Sequence, residues 1–168
     1  MATSKRLKLA RPDFDPLDAR AARAAALGSL ARRDRPCEDL RRKLREKGFD
    51  PTIVDQVVAR LCAEKLVDDR RYMENFVEIR AGRGQGPVRV RAELRELGLP
   101  DELGEEGIRA YPHWPTALLK ARQKKFGARL PTDYADRQRQ VRFLIYRGFT
   151  GAQIRLALGF DTDSDADS

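Results

Sequence analysis

The sequence predicts an all-α protein: three tandem three-helix repeats forming an extended, curved array. Three observations carry that expectation. A helix-ending phrase recurs every fifty residues, as LREKGF at 44–49, LRELGL at 94–99 and LIYRGF at 144–149. Each copy runs into a further helix start, and no stretch shows the apolar–polar alternation of a strand. The 168 residues are 41% hydrophobic and 36% charged, a balance that suits stacked small units better than one large core.

The recurring phrase has a mechanical meaning. Glycine enters the left-handed backbone region cheaply, so a glycine after a helical run ends the helix. With Gly48 just past the last helical turn, Leu44 and Phe49 occupy the two positions that touch in a Schellman motif. Leu94 with Leu99, and Leu144 with Phe149, repeat the pairing. Asp50-Pro51 then supplies a cap and a first-turn proline, and Thr150 supplies a cap in the third copy. Pro100-Asp101 is a less regular start.

The elements follow in order. Residues 1–14 read as a basic, mobile arm. Repeat 1 spans 15–67. Its first helix opens with Asp15 as cap, runs to about Arg33, and carries a stripe of Leu17, Ala21, Ala24, Leu27 and Leu30. The second holds Leu40 and Leu44 and stops at Gly48. The third, about 51–64, has Ile53, Val54, Val57, Val58, Leu61 and Cys62 on one face, the strongest periodic signal in the chain.

Repeat 2 spans 68–111. Asp68 caps its first helix, with Tyr72, Phe76 and Ile79 as the buried face. Glycines 82, 84 and 86 break that helix, and Pro87 opens the next, lined inward by Val90, Leu94 and Leu97. The last helix, about 101–110, holds Gly104 and Gly107 and few apolar residues, so a short element is expected. Repeat 3 spans 112–160. Trp114, Leu118, Ala121 and Phe126 lead to a loop with Gly127 and Pro131, followed by Val141, Leu144 and Ile145, then Ile154 and Leu158. Residues 161–168 are acidic, lack large apolar residues, and read as disordered.

Charge is unevenly spread. The net charge is +8, which favours a polyanionic partner. Residues 112–160 hold ten basic and two acidic side chains, whereas residues 68–111 hold eight and ten. Ordinary surfaces intersperse the two signs, so the excess of +8 on repeat 3 marks a contact surface. Lys120 and Lys124 lie four apart on one helix face, as do Arg91 and Arg95.

Several functions are disfavoured. Cys37 and Cys62 form no metal or redox motif, and His113 is the single histidine, so no cofactor or metal site is expected. GRGQG at 82–86 follows a helix rather than a strand and is no phosphate loop. No nucleophile has a base at a recognisable spacing, and the chain reads as a non-enzyme. A sequence-reading helix-turn-helix would need donors at the start of the helix after each turn, where DPTIVDQV and PDELGEEG present acids. Trp114 reads as core, and His113 as a packing or capping residue. With no signal segment or transmembrane run, the expected location is the cytoplasm, away from membranes.

The chain resembles the bacterial RecX regulators of the RecA recombinase from about residue 17 to 159. The resemblance lies in DLRRKLREKGF (39–49), LVDDRRYMENFVEIRAGRGQGPVRVRAELRELGL (66–99), KKFG (124–127) and RQRQVRFLIYRGFTGAQIRLAL (137–158). It implies three three-helix repeats and a protein, without catalytic site or cofactor, that binds RecA filaments on DNA and contacts DNA itself. It further implies inhibition of filament growth, ATP hydrolysis, strand exchange and RecA-stimulated repressor cleavage. Pro36 stands where the family tends to place a capping Ser or Thr, and Gly104 and Gly107 weaken the local helix pattern. The expected partners are the RecA filament and single- and double-stranded DNA without sequence specificity, met by a monomer. Lys120, Lys124, Lys125, Arg129, Arg139, Arg142 and Arg147 are the leading contact candidates, with Arg89, Arg91 and Arg95 second. The alternative is a nonspecific DNA-binding or architectural protein that acts without RecA.

Overall fold

The computed structural model describes residues 13–159, and these hold nine α-helices and no strand. The basic arm up to residue 12 and the acidic tail lie outside the described residues. The described residues form two compact units: 13–35 with 39–67, and 36–38 with 68–159.

The first unit contains α1 (Ala19–Leu30), α2 (Cys37–Glu46, whose first turn belongs to the second unit) and α3 (Pro51–Ala63). The cap of α1 is Asp18, whose carboxylate accepts from the Arg20 and Ala21 N–H groups. Asp15 instead holds a turn ahead of the helix, accepting from the Leu17 N–H. The expected stripe is also displaced by one residue. Ala22 and Ala26 are the buried positions, while Leu17 and Leu27 are exposed. Two alanines let α1 approach α3 closely, so small side chains rather than leucines mark the inner face. Phe14, assigned above to the arm, lies against Phe49 with ring centroids 5.0 Å apart. Leu40, Leu44, Val54, Val57, Val58 and Leu61 complete this core, each contributing roughly 1.5–3 kcal/mol by burial.

The second unit holds α4 (Asp69–Gly82), α5 (Pro87–Glu96), α6 (Asp101–Ala110), α7 (Trp114–Phe126), α8 (Tyr134–Tyr146) and α9 (Gly151–Leu158). One continuous apolar cluster runs through all six, from Met73 to Leu158. One register and one further residue differ from expectation. On α4 the buried positions are Met73, Val77 and Ala81, and Ile79 is 54% exposed. Tyr72 and Phe76 flank the core, stacked at 5.9 Å, with the Arg80 guanidinium 4.6 Å from the Phe76 ring centre. On α8 Leu144 is buried but Ile145 is 56% exposed. On α4 less bulky neighbours fill the space that Tyr72 and Phe76 were expected to fill, whereas on α8 the expected Leu144 is buried and Ile145 alone points outward.

The glycine turns form as the spacing requires. Gly48, Gly98 and Gly148 have φ of 99°, 79° and 90°. Phe49, Leu99 and Phe149 donate their N–H groups to Leu44, Leu94 and Leu144 at 3.1–3.3 Å, closing three Schellman motifs. The helix α3 ends in the same hydrogen-bond pattern, with Leu66 N–H on Leu61 O at 3.0 Å. There the left-handed position is Lys65, at φ 59°, the one non-glycine with positive φ among the described residues.

Helix α6 is a full ten residues despite its glycines. Gly107 faces Met73, whose thioether occupies the space a Cβ would need, so this glycine serves close packing of α6 on α4, whereas a Cβ on Gly104 would lie at ordinary contact distance from Leu94 of α5. The missing cap at Pro36 is also supplied. The Cys37 N–H donates to the Asp69 carboxylate at 2.7 Å, while neighbouring Asp68 caps α4 itself. Two adjacent aspartates thus satisfy the starts of two helices.

Two stability predictions follow from these termini. Lys65→Gly should relieve left-handed strain and raise stability by about 1 kcal/mol, measured as a higher thermal midpoint; an unchanged midpoint would show that the site is unstrained. Asp69→Ala should cost about 1 kcal/mol, as much as removing an in-line cap such as Asp68, even though its acceptor role serves a helix more than thirty residues away in sequence.

Candidate nucleic-acid interface

Repeat 3 places its candidate contact cations on α7, on the connecting loop 127–133, and on α8 with its C-cap Arg147. That loop is held by a charged side chain in the interior. Arg122 falls on the i+4 ladder Trp114, Leu118, Arg122, Phe126, and is 2% exposed. Its guanidinium donates to the carbonyls of Ala128 at 3.0 Å and Arg129 at 2.9 Å, and to the Gln140 side chain at 3.2 Å. Gln140, also buried, donates in turn to Asp136 at 3.1 Å. A buried cation satisfied by fixed carbonyls is costly to leave unpaired, so these bonds lock the loop to both helices. Asp133 caps α8 through the Asp136 N–H at 2.8 Å.

The result is a groove of about 680 Å³ between α7, the loop and α8. Its lining includes Lys125, Phe126, Arg129, Leu130, Arg139 and Phe143. The two phenyl rings meet edge to face at 5.2 Å. Arg139 sits 5.5 Å from the centre of Phe126, and Arg147 sits 5.2 Å from the centre of Phe143. Of the leading candidates, Lys125, Arg129 and Arg139 therefore line one groove, and Arg147 packs on one of its rings. Lys120, Lys124 and Arg142 are exposed on the same two helices but are not part of the lining.

Charge pairing separates the two groups of candidates. Among the described residues, the side chains of Lys120, Lys124, Lys125, Arg129, Arg142 and Arg147 make no ion pair, and Arg139 pairs with Asp136 at 2.6 Å. The arginines of α5 are all engaged. Arg89 meets Glu93 at 3.1 Å, Arg95 meets Asp101 at 2.7 Å, and Arg91 grips Glu105 through two hydrogen bonds. The hydrogen bond from Arg91 holds the Glu105 carboxyl below the usual carboxylate range and raises the Arg91 guanidinium in return. Arg91 and Arg95 thus tie α5 to α6 within repeat 2.

The groups set aside on sequence grounds fall as follows. Trp114 is buried and donates to the Ile108 carbonyl at 2.9 Å, a core residue as expected. His113 is exposed; it caps α7 by backbone position, without a side-chain bond, and its ring meets Tyr111 edge-on. Cys37 and Cys62 form no disulfide. Among the described residues no group of acids, histidines and cysteines is arranged to hold a metal, and no helix is long and apolar enough to cross a membrane.

Comparison with known proteins matches this architecture throughout. Three family descriptions fit in tandem: the first three-helix domain of RecX over residues 22–61, the second over 68–108 and the third over 116–158. The regulatory protein RecX of Halorhodospira halophila is 40% identical over 146 residues, covering 86% of this chain and 91% of that one. Its counterpart in Pseudomonas savastanoi pv. phaseolicola is 42% identical over 130 residues, covering 77% and 84%. The crystal structure of RecX from Lactobacillus salivarius superposes with a TM-score of 0.73 at 19% identity, over 84% of this chain and 95% of that one, a likeness of fold. Three tandem three-helix domains define the class, and the chain belongs to the RecX family of regulatory proteins.

One prediction tests the pairing pattern. Arg91→Ala should lower stability by a few tenths of a kcal/mol, as for a largely exposed pair, and leave DNA affinity within about twofold. A large loss of DNA affinity with intact stability would move the interface onto α5.

Proposed function

We propose that this protein regulates the RecA recombinase by binding RecA filaments on DNA and restraining filament growth, ATP hydrolysis, strand exchange and co-protease activity, without catalysis of its own. Family membership supports the RecA connection. The observation that carries the DNA contact is the set of cations on α7, α8 and their loop, all but Arg139 without an ion pair, beside arginines on α5 that are already neutralised. Unpaired cations release the counterions of phosphate on binding, and this term is independent of sequence. Lys120, Lys124, Lys125, Arg129, Arg139, Arg142 and Arg147 form that contact surface, acting on single- and double-stranded DNA. In this reading the protein works as a monomer in the cytoplasm. Several repeats touching one filament gain avidity without needing strong individual contacts.

The decisive experiment titrates the protein into the DNA-dependent ATPase of RecA. Inhibition at concentrations far below those that coat the DNA is the expected result. Inhibition that begins only when the DNA is saturated would favour an architectural DNA-binding protein acting without RecA. On DNA alone, affinity should fall steeply with salt, and Lys124→Ala should reduce the slope of log K against log salt by about 1. A preference of about a thousandfold for one duplex sequence would refute nonspecific binding.

A further inference from the structure

We propose that the groove between α7, the 127–133 loop and α8 seats an unpaired nucleobase of single-stranded DNA, with the flanking phosphates on Lys125 and Arg129. The inference deepens the functional reading above, because it rests on repeat 3 facing nucleic acid. It goes further by naming what the groove takes and which form of DNA can supply it.

The lining combines two features that only a few ligands need together. Phe126, Phe143 and Leu130 present apolar surface, with Leu130 53% exposed, and the two rings, which meet edge to face, each carry an arginine guanidinium over one face. Lys125 and Arg129 place two unpaired cations at the same groove. An acidic peptide would use the cations but would bury the rings against carboxylates. A greasy peptide would use the rings but strand the cations. A nucleotide satisfies both, since every base has a π-face and every linkage a charge. The volume of about 680 Å³ lies within the roughly 300–1,000 Å³ typical of small-ligand clefts.

The groove is also held open in advance. Arg122 ties the carbonyls of Ala128 and Arg129 to Gln140 on α8, which fixes the separation of the walls. Asp136, the one carboxylate in the lining, is taken up by Arg139 at 2.6 Å and by Gln140 at 3.1 Å. It therefore presents little repulsion to a phosphate. Bases in a duplex are stacked and paired and cannot enter, so the groove gives single strands an added contact that duplexes lack.

The test compares oligothymidylate with a duplex of equal length, by fluorescence anisotropy on the full chain. Phe126→Leu keeps apolar volume but removes the ring. It should weaken oligothymidylate binding at least about fivefold while duplex binding stays within twofold. Equal losses on both, or no loss on the single strand, would overturn the proposal. If wild-type protein binds neither DNA, the broader reading fails with it; if it binds both and the variant changes neither, only the groove assignment falls. Because Phe126 is half-buried, a second measurement uses unaltered protein: photocrosslinking to an oligonucleotide carrying 5-iodouracil. Crosslinks mapping to the peptides holding Phe126 or Phe143 support the seat, and crosslinks confined to other helices contradict it.

Discussion

At the centre of the second unit two backbones meet without side chains between them. The Gly86 N–H donates to the Arg147 carbonyl at 2.7 Å, and the Val88 N–H to the Gly148 carbonyl at 2.9 Å. The first turn of α5 has donors that its own helix cannot satisfy, and the last turn of α8 has carbonyls in the same position. Each end completes the other. A Cβ on Gly86 would overlap the Gly148 carbonyl and the Phe149 amide, and a Cβ on Gly148 would overlap Arg89. Gly148 must be glycine twice over, for its left-handed backbone and for this approach. Through this joint repeats 2 and 3 share one apolar cluster, which matters because a three-helix repeat alone buries too little surface to be stable.

The same logic of completing one element with another runs outward to the surface. Asp69 satisfies the start of α2 with a carboxylate from the start of α4, and Arg122 satisfies the carbonyls of a loop from inside α7. Charge follows suit. In repeat 2 the acids of α5 and α6 engage the arginines of α5. Repeat 3 has two acids for ten basic residues, so most of its cations have no intramolecular partner to spend their field on. The scaffold neutralises the arginines of α5 and leaves repeat 3 with an excess of positive charge.

The period of fifty residues made the glycine turns, the three repeats and most helix positions legible, because a Schellman turn has a local sequence signature. The register of α4 was not. Tyr72 and Phe76 are large and apolar, yet Met73 and Val77 fill the interior, a choice set by neighbouring helices rather than by period. On α8 the burial of Leu144 was legible from its glycine turn, and only the exposure of Ile145 was not. Gly107 of α6 looked like weakness for the same reason, since Met73 comes from another helix. In the candidate site, the cation excess was plain from composition, but the groove was not. It depends on Arg122 turning inward. Its place on the ladder with Trp114, Leu118 and Phe126 was the available signal, masked by the habit of counting arginine as surface. The arginines of α5 could not be separated from those of repeat 3 until their acidic partners were placed.

The backbone joint is the claim on which the rest depends, and a pair of glycine substitutions tests it most directly. Gly28 lies in α1 with open space around its Cβ position, so Gly28→Ala should raise stability by about 0.5–1 kcal/mol through helix propensity. Gly86→Ala should instead lower it by about 1–3 kcal/mol, because the added carbon must push two backbones apart. Chemical denaturation of both variants alongside the parent gives the comparison. Opposite signs support the account. A Gly86→Ala protein as stable as its parent would contradict it, since the two backbones would then not be in contact.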